Sequence, residues 1–186
     1  MKIDLHCHTK AIKKGDGIGR NVTPDLFKSK IEDADIKIVA ITNHNAFDIN
    51  QYRALSSAVE GLCQVWPGVE IDVLEPESKR WHLIVVVNPK EVESFSANVN
   101  ILFKDDKLEE CTHTLEEIYN AFKNHDAIYI THFHQKRPAV PIEDGEKLDL
   151  LVGEPHRVFK ETSNESSMSV FANYRYNVLV GSDVKD

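Results

Sequence analysis

The stretch "IDLHCHT", Ile3 to Thr9, decides how the rest of the chain is read. Ile3-Asp4-Leu5 reads as a short strand, and side chains two apart on a strand share a face. His6 and His8 therefore project together, and Cys7 points away. Two imidazoles presented side by side can chelate a metal, but ordinary surface strands carry H-x-H as well. The meaning of the pair depends on what the remaining residues supply.

A length of 186 residues suits one domain, 1–186, long enough to bury a core. With 41% hydrophobic and 28% charged residues the chain falls among ordinary globular proteins and outside the disordered and fibrous classes. No apolar run is long enough to span a bilayer, and the N-terminus lacks the basic-then-apolar layout of a signal peptide. Three cysteines without metal-finger spacing read as reduced thiols, which predicts a cytoplasmic protein. The net charge of −8 excludes a broadly basic nucleic-acid surface. A nucleic-acid or nucleotide substrate remains open, because divalent cations reverse the sign inside a cleft of acidic ligands.

Outward from the first strand, apolar strands and amphipathic helices alternate. "GDGIGR" (Gly15 to Arg20) lacks the Lys-Ser/Thr of a P-loop and reads as a flexible loop. Thr23-Pro24 starts a helix, and "IKIVAIT" (Ile36 to Thr42) is a buried strand. Tyr52, Leu55, Val59 and Leu62 recur at helical spacing, so a helix runs from Asp48 to about Gly61. Cys63 to Val73 and Arg80 to Val87 read as strands joined by a polar turn. Thr114 and Glu117 form a capping box ahead of another helix, whose Tyr119 and Phe122 read as core, like Trp66 and Trp81. Ala127 to Thr131, Arg157 to Thr162 and Asn177 to Ser182 are three more strands, with a helix expected near 166–173. Seven strands with helices mostly between them predict an α/β fold of parallel strands, either a barrel or a doubly wound sheet.

The chemistry collects at the strand ends. Strand one gives His6 and His8, strand two His44, strand three Glu70, strand five His132 and His134, strand six Glu161 and strand seven Asp183. Strand four differs, since His82 lies near its beginning. In parallel barrels the C-terminal strand ends open onto one face, where active sites are built. Histidine with carboxylate suits zinc, manganese or iron rather than magnesium or calcium. Glu70 could bridge two such ions, and a pair of metals can activate a water and clamp a phosphoryl oxygen.

In this order the motifs resemble those of the polymerase-and-histidinol-phosphatase (PHP) phosphoesterases: "DLHCHT" for the first, "TNHN" (Thr42 to Asn45) for the second, then Gly68-Val69-Glu70, His82, His132 and "GSD" (Gly181 to Asp183). The resemblance runs from residue 3 to residue 183. It implies a distorted seven-stranded (β/α)7 TIM-like barrel around two or three divalent metal ions. It places one metal on His6, His8, Glu70 and Asp183, and a second on Glu70, His82 and His132. His44 would serve the third, with Asp16 the sole candidate in the loop after the first motif. Asn43 and Lys185 stand where the family usually has aspartate and histidine.

The implied activity is hydrolysis of a phosphate mono- or diester, a small molecule or a nucleic-acid end, by a metal-activated water. His44 and His134 are the catalytic candidates, His134 being either a ligand or general acid or a solvent-facing loop residue. Arg137 and Arg157 are candidates for gripping the phosphate, or else surface ion-pair partners. Glu161 reads as a residue that orients a ligand histidine, and His113 and His125 as exposed. A second reading is a degenerate PHP module with a structural or regulatory role. The end at "NVLVGSDVKD" suits an N-terminal piece of a longer chain, with an ATPase or polymerase module fused beyond it. A zinc amidohydrolase also uses H-x-H, but typically has a metal-bridging lysine and a larger barrel.

Overall fold

The structure is a computed structural model that describes residues 1–13, 16, 21–104, 107–133, 136–163 and 177–180. One mixed sheet holds seven strands in chain order: β1 (Lys2–Cys7), β2 (Ile36–Ile41), β3 (Gln64–Val73), β4 (Trp81–Val87), β5 (Ala127–His132), β6 (Val158–Thr162) and β7 (Asn177–Val180). Helices α1 (Pro24–Ala34), α2 (Ile49–Ala58), α3 (Val92–Leu102), α4 (Leu115–Phe122) and α5 (Ile142–Val152) connect them. The helix expected near 166–173 lies outside the described residues.

Caps set the helix starts. Thr23 accepts from Leu26 N–H ahead of α1, and Asp48 accepts from the N–H groups of Asn50 and Gln51 ahead of α2. The Thr114–Glu117 capping box opens α4.

The strands are not all parallel. β1, β2 and β3 run together, as do β5, β6 and β7, but β4 is antiparallel to both its neighbours. The connection from Val73 to Trp81 is too short for a crossover, so the chain turns back as a hairpin. This reversal explains His82. The beginning of β4 lies beside the end of β3, with Asp72 opposite His82 and Glu70 opposite Ile84. A histidine at the start of β4 therefore shares an edge with ligands at the ends of the other strands.

Period-two alternation divides the sheet into two faces. Val39, Ile41, Val65, Val69, Ile71, Leu83, Val85 and Tyr129 face the helices and pack with Phe27, Leu55, Phe95, Ile118 and Phe122. Trp81 is fully buried on this side and donates its indole N–H to Asp144 at 2.8 Å. On the other face Ala40, Ile84, Val86 and Ile130 form a separate apolar cluster with Leu5, Trp66, Phe159 and Leu179. Cys7 packs with the helix-side core, although Leu5 faces inward. A register irregularity between Asp4 and Cys7 makes that switch.

The inner face is concave. β1 and β6 are five strand positions apart, about 24 Å in a flat sheet at about 4.8 Å per strand. Yet His6 Nδ1 lies 3.0 Å from Glu161 Oε2. The sheet thus curls into a half-barrel. Among the described residues no ladder joins β1 to β7, so the closed barrel expected from the sequence appears here as an open, curled sheet.

Gly68 allows the strands to close around the polar end. A Cβ there would stand 2.9 Å from Thr42 Cγ2 and 3.0 Å from the Val85 carbonyl oxygen.

Candidate metal centre

Alternation along β3 puts Glu70 and Asp72 on the inner face, next to the apolar cluster. Glu70 is the hub. Its Oε2 lies 2.8 Å from His44 Nε2, 3.0 Å from His8 Nε2 and 3.4 Å from His6 Nε2. Its Oε1 lies 2.7 Å from His82 Nδ1 and 3.4 Å from His132 Nε2. Five imidazoles, from β1, the two loops that follow β1 and β2, β4 and β5, thus surround one carboxylate that is 1% exposed.

His44 reaches this point because the chain after β2 continues along β3. Asn45 N–H donates to the Glu70 carbonyl at 2.7 Å, and Glu70 N–H to the Asn43 carbonyl at 3.1 Å. Asn45 takes the left-handed backbone conformation at φ 50° and ends the run. The Asn43 side chain is not aimed at the cluster. Its Oδ1 accepts from the N–H groups of Thr9 at 2.8 Å and Lys10 at 2.9 Å, and its Nδ2 donates to Thr9 Oγ1 at 3.2 Å. The asparagine therefore pins the turn that follows His8, a task in which a carboxylate could supply the same acceptor.

Three more carboxylates complete the site. Asp16 is held by the N–H groups of Ile12 and Lys13 and stands 2.9 Å from His44 Nδ1. Glu161 stands 3.0 Å from His6 Nδ1 and 3.4 Å from His132 Nε2. Asp72 stands 3.0 Å from His82 Nε2 and accepts from Asn45 Nδ2 at 3.1 Å. Two lysines enter as well. Lys136 Nζ donates to Glu161 Oε1 at 2.6 Å, and Lys13 Nζ pairs with Asp72.

These contacts set the charge states of the metal-free site. Burial opposes charge on His6, but Glu70 and Glu161 overcome it and raise the imidazole to about 10. Burial likewise opposes charge on His82, and Asp72 and Glu70 raise it to about 9. His132 is pushed down by burial to about 3, so its ring is neutral. Despite burial, the surrounding cations hold Glu161 down at about 2 and keep Glu70 well below the usual carboxylate range.

The donor set fits divalent metal. Both nitrogens of His132 and Nδ1 of His8 are buried without a hydrogen bond. Both nitrogens of His44 also lack a directed bond, although carboxylates stand beside them. A buried polar atom left without a partner is costly, and a cation supplies one. Three groups place one ligand atom per residue within 4.8 Å of one another: His6, Glu70 and His132; His8, Asp16 and His44; His44, Glu70 and His82. Imidazole with carboxylate suits zinc, manganese or iron.

Of the residues singled out from the sequence, His6, His8, His44, Glu70, His82 and His132 meet here. His134 and Asp183 lie outside the described residues, as does "GDGIGR" apart from Asp16. Glu161 takes the orienting position expected of it. Arg137 is exposed, directly after Lys136.

Arg157 stands at the other end of the strands. Its guanidinium donates to the carbonyls of Ala127 at 2.7 Å and His125 at 2.8 Å, where β5 begins, while the cluster sits where β5 ends. It ties two strand starts together and does not face the histidines. His125 is buried rather than exposed, packed on Phe95 and Phe122 with Nε2 3.2 Å from Ser94 Oγ.

Lys13, Lys136 and Asp72 were not visible as site residues in the sequence. Asp72 carried a signal, since it stands two residues after Glu70 on one strand. The lysines carried none, because loop geometry alone brings them in.

No family model matches this sequence, and no curated protein does. Solved structures do. A protein of Bifidobacterium adolescentis assigned as a metal-dependent phosphoesterase superposes with TM-score 0.65 at 13% identity, over 100% of this chain and 88% of that one. An amidohydrolase from Chromobacterium violaceum, with sulfate bound and no metal, gives TM-score 0.61 at 14% identity, over 98% of this chain and 87% of that one. Endonuclease Q, in complex with a duplex carrying an abasic lesion at its active site, gives TM-score 0.62 at 15% identity, over 97% of this chain and 48% of that one. The chain therefore has the fold shared by a metal-dependent phosphoesterase, an amidohydrolase and Endonuclease Q.

Proposed function

We propose that this chain is a metal-dependent phosphoesterase that hydrolyses a phosphate mono- or diester. The observation that carries the reading is the single buried carboxylate of Glu70 with five imidazoles around it, several of their nitrogens lacking a directed hydrogen bond. In this reading His6, His8, Asp16, His44, Glu70, His82 and His132 hold two or three divalent ions, zinc, manganese or iron. The motif order adds Asp183. The bound ions would supply an activated water and neutralise charge on the phosphoryl oxygens.

The chain's own groups do the rest. Glu70 holds the imidazoles in register by facing one set with each oxygen. The neutral His132 ring presents one nitrogen lone pair without first losing a proton. Glu161 and Asp72 orient His6 and His82. Arg137, exposed and next in sequence to the buried Lys136, is the proposed grip for a phosphate. His134, one residue along from Phe133, is the proposed general acid.

The fold is shared with an amidohydrolase as well as with a phosphoesterase and a nuclease, so the choice of phosphate-ester chemistry rests on the ordered motifs, Gly68-Val69-Glu70 above all. The grouping of Asp16 with His8 and His44 weighs against the degenerate module, whose motive was a missing third set of ligands. No described helix is long and apolar enough to cross a membrane, and the three free cysteines suit a cytoplasmic protein. The test is direct. Protein reconstituted with manganese or zinc should cleave a chromogenic phosphoester, and His8→Ala should reduce that rate by at least a hundredfold. Full activity in His8→Ala would remove this centre from the mechanism.

A further inference from the structure

Two chains of three residues, one buried and one half-buried, flank Glu70 in the same order. On one side Lys136 Nζ contacts Glu161 Oε1 at 2.6 Å, Glu161 Oε2 meets His6 Nδ1 at 3.0 Å, and His6 Nε2 points to Glu70 Oε2 at 3.4 Å. On the other side Lys13 Nζ pairs with Asp72, Asp72 Oδ1 meets His82 Nε2 at 3.0 Å, and His82 Nδ1 points to Glu70 Oε1 at 2.7 Å. We propose that Lys136 and Lys13 are positioning residues, each committing one carboxylate to the far nitrogen of a ligand histidine so that the near nitrogen faces the metal. This inference rests on the metal-dependent reading above.

The chemistry runs through what each group can do. An ammonium only donates, and an ionised carboxylate only accepts. Glu161 presents two oxygens to His6 Nδ1, at 3.0 and 3.2 Å, so that nitrogen retains a proton and Nε2 is the one whose proton leaves when a metal binds. Lys136 Nζ also lies 3.0 Å from His6 Nδ1, but its shorter contact is to Glu161. The lysine thereby keeps Glu161 turned toward His6. Without it Glu161 would be free to swing toward His132, 3.4 Å away, and to compete as a metal ligand itself.

Asp72 is constrained in the same way. Its Oδ2 is taken by Lys13 and by Asn45 Nδ2 at 3.1 Å, which leaves Oδ1 for His82. His82 thus turns Nδ1 to Glu70 where His6 turns Nε2, and a metal at that nitrogen would leave the remaining proton on Nε2, facing Asp72. The division of labour also fits the three ligand groups, in which Glu70 and Asp16 are the carboxylates while Asp72 and Glu161 are absent.

Lys136 is 4% exposed and Glu161 2%, so removing the ammonium alone strips a buried carboxylate of one of its two cationic partners and destabilises the fold. The experiment must separate that loss from positioning. Zinc is titrated calorimetrically into metal-stripped wild type, Lys136→Met, Lys13→Met and the double variant Lys136→Met/Glu161→Gln. Thermal melting and the visible spectrum of the cobalt-loaded forms are recorded alongside. Each methionine variant should bind zinc about 10–100-fold more weakly, with an altered cobalt spectrum. The double variant should recover thermal stability without recovering affinity, while Lys136→Arg should retain most of it. Wild-type affinity and spectrum in both methionine variants would overturn the proposal, and so would affinity returning together with stability in the double variant. Wild type that binds no zinc would overturn the metal-dependent reading itself.

Discussion

Asp16 Oδ1 lies 2.9 Å from His44 Nδ1, although the two residues come from separate loops, after β1 and after β2. The contact gives His8 and His44 an acidic companion and makes a third ligand group. Asp16→Asn should therefore lower the metal content of reconstituted protein by one equivalent and leave the remainder bound. Loss of all metal, or of none, would show that Asp16 is not a separable ligand.

Metal uptake should release protons. At pH 7 the metal-free site holds His6, raised to about 10, and His82, raised to about 9, in their charged forms. Coordination requires a lone pair on each, so both protons must leave. Apparent affinity should therefore rise with pH from 7 and level off above about 9 to 10. Calorimetry in buffers of different ionisation enthalpy should count about two protons released in all, one from His6 and one from His82 as their separate sites fill. A count of zero would contradict the charged state of both imidazoles.

Asn43 anchors the backbone that carries His8 into position. Asn43→Ala leaves the N–H groups of Thr9 and Lys10 without their acceptor and should cost about 1–3 kcal/mol in denaturant unfolding. Asn43→Asp keeps the acceptor and should cost much less. Equal losses for both would assign the effect to packing.

Gly68 sits where its neighbours leave little room for a side chain. Gly68→Ala puts a methyl group 2.9 Å from Thr42 Cγ2 and 3.0 Å from a backbone oxygen that cannot move freely. The expected destabilisation is about 1–3 kcal/mol, measured by the same unfolding experiment. An unchanged midpoint would mean that β2 and β4 are looser there than the structure has them.

Much of the site was legible because strands obey a period of two. His6, His8, Glu70 and His132 were found by reading strand ends, and the structure brings them together. The direction of β4 was not legible in the same way. A near-continuous apolar strand such as "WHLIVVV" buries the same residues whichever way it runs, so pattern alone cannot orient it. The short turn between Val73 and Trp81 was the available clue, and the odd position of His82 was its consequence. Lys13 and Lys136 were invisible for another reason. Each sits in a loop where no periodicity constrains direction, and each is recognised only when Asp72 or Glu161 is found beside it. Arg157 misled because a guanidinium that suits phosphate equally suits two backbone carbonyls.

The central claim is that Glu70 organises a centre with more than one metal. Elemental analysis of dialysed, zinc- or manganese-reconstituted protein tests it most directly, with Glu70→Gln as the comparison. At least two equivalents per chain are expected in the wild type and at most one in Glu70→Gln. One equivalent or fewer in the wild type, or equal content in both proteins, would contradict it.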